Sequence, residues 1–201
     1  MISSRKVRFG LVGAGAIAQA YAEAFQRSKQ VELVAVSDVR KEAADAIAQT
    51  LECESFEDYT EMMEKVHLDA VVVCTPPISH PDICTDFLQR GIPTLCEKPL
   101  AIDSASAQRM VRCAAENNTL FTMASKFRYV DDVIRAKSIV TSGILGEIVL
   151  YENVFTGHVD MSSRWNAEPE ISGGGVLIDN GTHSVDTVSY THLTLPTICS
   201  V

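Results

Sequence analysis

The sequence predicts an α/β fold: a doubly wound parallel sheet, followed by the beginning of an α+β domain with an open, mainly antiparallel sheet. Three observations carry that expectation. An apolar run from Val7 leads straight into Gly13-Ala14-Gly15-Ala16-Ile17-Ala18, strand and helix patterns then alternate through the first 125 residues, and beyond them the texture changes. At 201 residues and 46% hydrophobic content, the chain has ample material for a core.

The first strand is Val7 to Val12, and a helix follows at once. Ile17, Ala20, Tyr21, Ala24 and Phe25 recur at helical spacing and are expected to form its sheet-facing stripe. A second strand, Val31 to Val36, ends at Asp38. An Ala-rich helix is expected from Arg40 to Leu51 and another from Phe56 to Lys65. The next strand is Leu68 to Cys74. The helix after it is bounded by Ser79 as N-cap, Pro81 in the first turn and Gly91 as the left-handed stop. Ile92 to Cys96 and Leu120 to Ala124 complete the sheet, with a helix from Ser104 to Asn117 capped by Asp103 or Ser104.

Residues 1–125 are therefore expected to form one domain and 126–188 part of a second, with a helix from Val130 to Ser142 and a long strand from Glu147 to Phe155. The Thr-rich stretch 189–201 contains no acidic residue, Lys or Arg and does not continue the pattern before it. It is expected to be a non-native tail.

The glycine turn suits a dinucleotide. Gly13 permits a tight strand-to-helix turn, Gly15 lets backbone approach a pyrophosphate, and Ala18 lets the helix lie close to the sheet, as in a Rossmann-type fold. Ala16 and Ile17 would offer first-turn N–H groups to the phosphates. Asp38 follows Ala18 by 20 residues, where a carboxylate can bind ribose hydroxyls, which favours NAD. Arg40 and Lys41 stand beside it and could pair with a 2′-phosphate, so NADP stays open.

A net charge of -9 argues against a nucleic-acid surface. No apolar run approaches a membrane span, and the N-terminus lacks a signal-peptide core, so the cytoplasm is the expected compartment. Six cysteines show no C-x-x-C pair and five histidines are scattered; the thiols are read as reduced, and no metal site is indicated.

Three further islands stand out: Cys74-Thr75-Pro76-Pro77 with His80, then Glu97-Lys98-Pro99, then Gly173-Gly174-Gly175 leading to Asp179 and His183. With the N-terminal glycines they resemble the Gfo/Idh/MocA oxidoreductases over roughly residues 5 to 188. The resemblance implies a nicotinamide-dependent dehydrogenase or reductase for a sugar, polyol or related hydroxy compound, which forms homo-oligomers. It also implies that Thr75, Pro76, Glu97 and Trp165 border the cofactor, with Arg164 beside them, that Lys126 and Arg128 lie near substrate, and that the helix after the three glycines crosses the nicotinamide.

The chemistry of the residues fits. Lys98 lies just past the carboxyl end of a parallel strand, where a lysine can hydrogen-bond a reacting oxygen; a solvated loop lysine is the plain alternative. Asp179 and His183, four apart, share a helix face, and imidazole suits removal of a hydroxyl proton. The Lys98 to Pro99 bond is a candidate cis bond. His80 could reach the ribose or simply start its helix, and the structural role is favoured. Asp186 receives no role. Two other readings stay open: a glycosidase of the same fold that uses transient oxidation by a held NAD, and a dinucleotide-binding fragment without turnover.

Overall fold

A computed structural model describes residues 5–162 and 164–192. The chain divides after Ala124 into two compact units.

The first unit is a six-stranded, all-parallel sheet in the order β3-β2-β1-β4-β5-β6, with β1 Val7–Val12, β2 Val31–Ser37, β3 Glu54–Phe56, β4 Ala70–Val73, β5 Thr94–Cys96 and β6 Phe121–Met123. The helices between them are α1 Ala16–Arg27, α2 Lys41–Leu51, α3 Tyr59–Lys65, α4 His80–Gln89 and α5 Ser104–Glu116. Strands buried on both faces must be apolar at successive positions, and β4 reads Ala-Val-Val-Val with all four residues buried. Alternate side chains then feed two cores. Val12, Val71 and Val73 join Phe87, Leu88 and Met110 on one face; Leu11, Val36 and Val72 join Ala18, Ala22, Ala44 and Ile47 on the other.

Several expectations shift in detail. The sheet-facing stripe of α1 is Ala18, Tyr21, Ala22 and Phe25, while Ile17, Ala20 and Ala24 are exposed. The two small alanines face the sheet because they let the helix lie close to it, which counts for more than the size of Ile17. Phe56 belongs to β3, an edge strand paired with β2, and not to the following helix. Asp58, just after it, accepts from the Thr60 amide and starts α3 at Tyr59. Ser79 stands at the N-cap position of α4 as expected, but its hydroxyl donates back to the Pro76 carbonyl at 2.8 Å and caps no amide of the helix. Gly91, at φ 72°, is the left-handed stop that the sequence indicates, and Asp103 caps α5 through the Ser106 amide.

The second unit holds α6 Asp131–Thr141, two single 3-10 turns at Lys126–Tyr129 and Trp165–Ala167, α7 Pro169–Ser172, α8 Val176–Asp179 and α9 Gly181–His192. The strand expected from Glu147 to Phe155 is not there; that segment has no regular secondary structure. Among the described residues of this unit there is no strand to offer it a ladder of hydrogen bonds. The stretch 189–201, expected to break from the pattern before it, begins as helix. Residues 189–192 continue α9, and Thr191 is buried, with its hydroxyl bonded to the Thr187 carbonyl. Residues 193–201 lie outside the described residues.

Candidate functional site

In the first unit, the strand order reverses between β1 and β4, so the two connections leave in opposite directions and open a crevice at the carboxyl ends. The predicted residues of this unit gather at that edge. Gly13 follows β1, Asp38 follows β2, Thr75 and Pro76 follow β4, and Glu97 and Lys98 follow β5. Backbone bonds lace the strand ends together: Gly13 N–H donates to the Ser37 carbonyl at 2.7 Å, Cys74 N–H to Val12 at 2.7 Å and Glu97 N–H to Val73 at 2.9 Å.

The two glycines of the turn do different work. Gly13 has φ +95°, and a Cβ on it would lie 2.9 Å from the Cys74 carbonyl carbon, so the turn after β1 presses on the turn after β4. A Cβ on Gly15 would meet no protein atom within 4 Å. Packing therefore does not demand a glycine at 15, whereas a ligand lying against the backbone would. Gly15 is also the N-cap of the 12-residue α1, which has no side-chain cap and no acid in its first turn. The first-turn amides of Ala16 and Ile17 have no intrahelical acceptors and carry the positive end of the helix dipole. These features fit a pyrophosphate.

Asp38 is bent back on the same turn. One carboxylate oxygen accepts the Ala14 amide at 2.7 Å and the other the Arg40 amide at 2.9 Å. A carboxylate has about four acceptor positions, so ribose hydroxyls can still be bound. Lys41 is engaged within the protein: its ammonium is held by Asp45 and by the Ser55 hydroxyl. Arg40 stays exposed, its Nε 3.4 Å from Asp38.

His80 is wholly buried. Its Nε2 lies 2.7 Å from the Thr75 carbonyl, and its Nδ1 lies 3.2 Å from those of Pro99 and Leu100. The ring holds the loop after β4 beside the turn after β5, with both nitrogens turned to backbone carbonyls. Burial pulls the imidazole below its ordinary value, against those carbonyls and the charge of Glu97. The Lys98–Pro99 peptide is cis. Glu97 accepts the Tyr21 hydroxyl at 2.8 Å on one oxygen and the Lys98 amide at 3.0 Å on the other. Tyr21 gave no functional signal in the sequence, where it read as a core residue of α1.

In the second unit, Asp179 ends α8 and lines a cavity of about 610 Å³ with Arg164, Asn166, Asn180 and the backbone of Gly174 and Gly175. Trp165 is half-buried in the 3-10 turn beside Arg164. His183 sits in the first turn of α9, buried, with Phe127 edge-on at 4.9 Å and Phe155 at 6.4 Å. Asp186, which received no role from the sequence, is a buried carboxylate gripping Arg128 through Nε at 3.0 Å and Nη2 at 2.5 Å. That pair keeps the guanidinium charged and fixes its direction. Lys126 lies 5.3 Å from the Phe127 ring centre.

Fold and edge together define a dinucleotide-binding α/β domain. The chain belongs to the oxidoreductase family with an NAD-binding Rossmann fold, Gfo/Idh/MocA, whose model matches residues 7–125; the model of a Gfo/Idh/MocA C-terminal domain matches residues 133–196. It is 32% identical to inositol 2-dehydrogenase 4 of Saccharopolyspora erythraea over 94% of this chain and 55% of that protein. It is 30% identical to the D-glucoside 3-dehydrogenase of Escherichia coli over 100% of this chain and 58% of the relative. Among solved structures, the WlbA dehydrogenase of Bordetella pertussis, in complex with NADH and UDP-GlcNAcA, superposes with a TM-score of 0.85 at 28% identity, over 95% of this chain and 58% of that one. The chain spans about half the length of the curated relatives it matches. Among the described residues, no helix is long and apolar enough to cross a membrane, and no group of three or more His, Cys, Asp or Glu could hold a metal ion.

Proposed function

We propose that this chain carries the cofactor-binding half of an NAD-preferring oxidoreductase for a sugar, polyol or related hydroxy compound. The open space over Gly15, at an uncapped helix N-terminus and on the edge that also bears Lys98, is the observation that carries this reading. The named activities of the relatives, inositol and D-glucoside dehydrogenases, support the substrate class.

Gly13, Gly15, Ala16 and Ile17 would hold the pyrophosphate and Asp38 the adenosine ribose, with Thr75 and Pro76 bordering the dinucleotide. A bound nicotinamide would supply the two-electron acceptor for hydride. Lys98 would hydrogen-bond the reacting oxygen of substrate and offset charge that builds there. His183 would take the hydroxyl proton, and Asp179 would orient the imidazole or bind a neighbouring hydroxyl. Arg128, fixed by Asp186, would contact a further hydroxyl. Trp165 would line the cofactor side.

Titration of the chain with NAD and with NADP tests the first half, with tighter NAD binding expected. Turnover on a panel of inositols and sugars, read as reduced nicotinamide, tests the second, with Lys98→Ala and His183→Ala expected to fall about 10²- to 10⁴-fold while still binding NAD. Full activity in either variant rejects its assigned role. Substrate consumption without net reduced nicotinamide points instead to the transient-oxidation glycosidase.

A further inference from the structure

Tyr21 lies on α1, the helix whose N-terminus faces the open space at Gly15, yet its hydroxyl serves another part of the edge. It donates to Glu97 Oε1 at 2.8 Å across 76 residues of sequence, and Glu97 Oε2 accepts the Lys98 backbone amide at 3.0 Å. The two oxygens of one carboxylate thus join the helix that starts at the glycine turn to the residue bearing the ammonium. A glutamate at a strand end has three side-chain torsions, and the Lys98 amide alone fixes one oxygen without fixing the plane of the carboxylate. The tyrosine hydroxyl supplies the second point.

We propose that Tyr21 is a positioning residue for Lys98: it orients the Glu97 carboxylate, which in turn sets the backbone from which the lysine projects. The cofactor helix and the lysine then keep one fixed spacing, the condition for a reacting oxygen to meet donor and acceptor together. The hydroxyl stays a donor throughout the working pH range, because burial and the charge of Glu97 push its ionisation well above the ordinary tyrosine value. Phenylalanine would fill the same space among the α1 contacts, so the hydroxyl can be removed without opening a cavity.

The proposal rests on Lys98 acting at the substrate oxygen, and its test separates the two ideas. In Tyr21→Phe, the Lys98 amide resonance in a 15N–1H spectrum is expected to move upfield and its hydrogen exchange to accelerate about tenfold. NAD affinity should stay within about twofold, and turnover on whichever polyol the wild type accepts should fall about tenfold in kcat with little change in KM. Glu97→Ala should reproduce the amide shift, and the double variant should exchange no faster than Glu97→Ala alone. An unchanged Lys98 amide in Tyr21→Phe, or additive effects in the double variant, overturns the relay. If Tyr21→Phe does not fold, Glu97→Ala still decides, since a Lys98 amide that ignores the loss of that carboxylate refutes the coupling. A wild type that turns over no polyol while the amide responds as described sinks the reading of Lys98 and leaves the relay standing.

Discussion

The two units place their candidate residues by different means. In the first, Gly13, Asp38, Thr75 and Lys98 follow the ends of strands whose backbones are bonded to their neighbours and whose side chains feed a core on each face. In the second, Asp179, His183 and Arg128 stand on two helices and a single turn, steadied by individual side-chain contacts such as the Arg128–Asp186 pair and the rings around His183. Large apolar residues of the irregular segment, Val149, Leu150 and Val154, are more than 70% exposed. Parallel strands thus fix position through the main chain and tolerate many side chains at the edge, whereas the second unit relies on particular side-chain pairs. Substitutions should therefore act through backbone and burial in one unit and through single contacts in the other.

The sharpest test of that contrast lies inside the glycine turn. Gly13→Val drives a branched side chain into the Cys74 backbone at a positive φ, and should cost about 3 kcal/mol or more of stability in a denaturant titration, with NAD binding lost. Gly15→Ala, in open space, should leave stability unchanged and weaken NAD alone, by about tenfold. Next comes apolar truncation. Leu88→Ala, at a site with no exposure, should cost about 2–5 kcal/mol, while Val149→Ala, at 90% exposure, should stay within about 0.5 kcal/mol. Equal costs at the two positions would abolish the contrast between the units.

Smaller effects follow. Asp186→Asn should lower stability by about 1 kcal/mol, because Arg128 is 44% exposed and water takes over much of its partner's role, yet it should raise KM for the polyol more than for NAD. The His80 effect has a definite sign. Burial holds its folded-state pKa below the ordinary 6.5, so the unfolded chain binds the proton more readily, and stability should decline as pH falls through about 6.5 toward the folded-state value. His80→Gln keeps a donor for Thr75 but does not titrate, so that part of the slope should vanish from thermal melts run between pH 8 and pH 5.

Where sequence patterns are local, they proved readable. The glycine turn, the β4 valines and the cis Lys98–Pro99 bond all stand where their residue types place them. The three residues of β3 are too few for a period to show, and the phase of α1 misleads because alanine is a weak marker of which face is buried. For Glu147 to Phe155 the apolar residue types suit a strand, but a strand is a property of two segments, and no residue in one of them encodes the presence of the other. The pairings Tyr21–Glu97 and Arg128–Asp186 span 76 and 58 residues, so neither leaves a local trace.

The central place of β1 also has a consequence for how the chain comes off the ribosome. Its first neighbour, β2, follows within a few tens of residues, but the other edge waits for Ala70–Val73 to pair with Phe9–Val12. During that interval a half-built sheet presents bare amides and carbonyls beside the future nucleotide cleft, the kind of edge that captures stray segments of other chains.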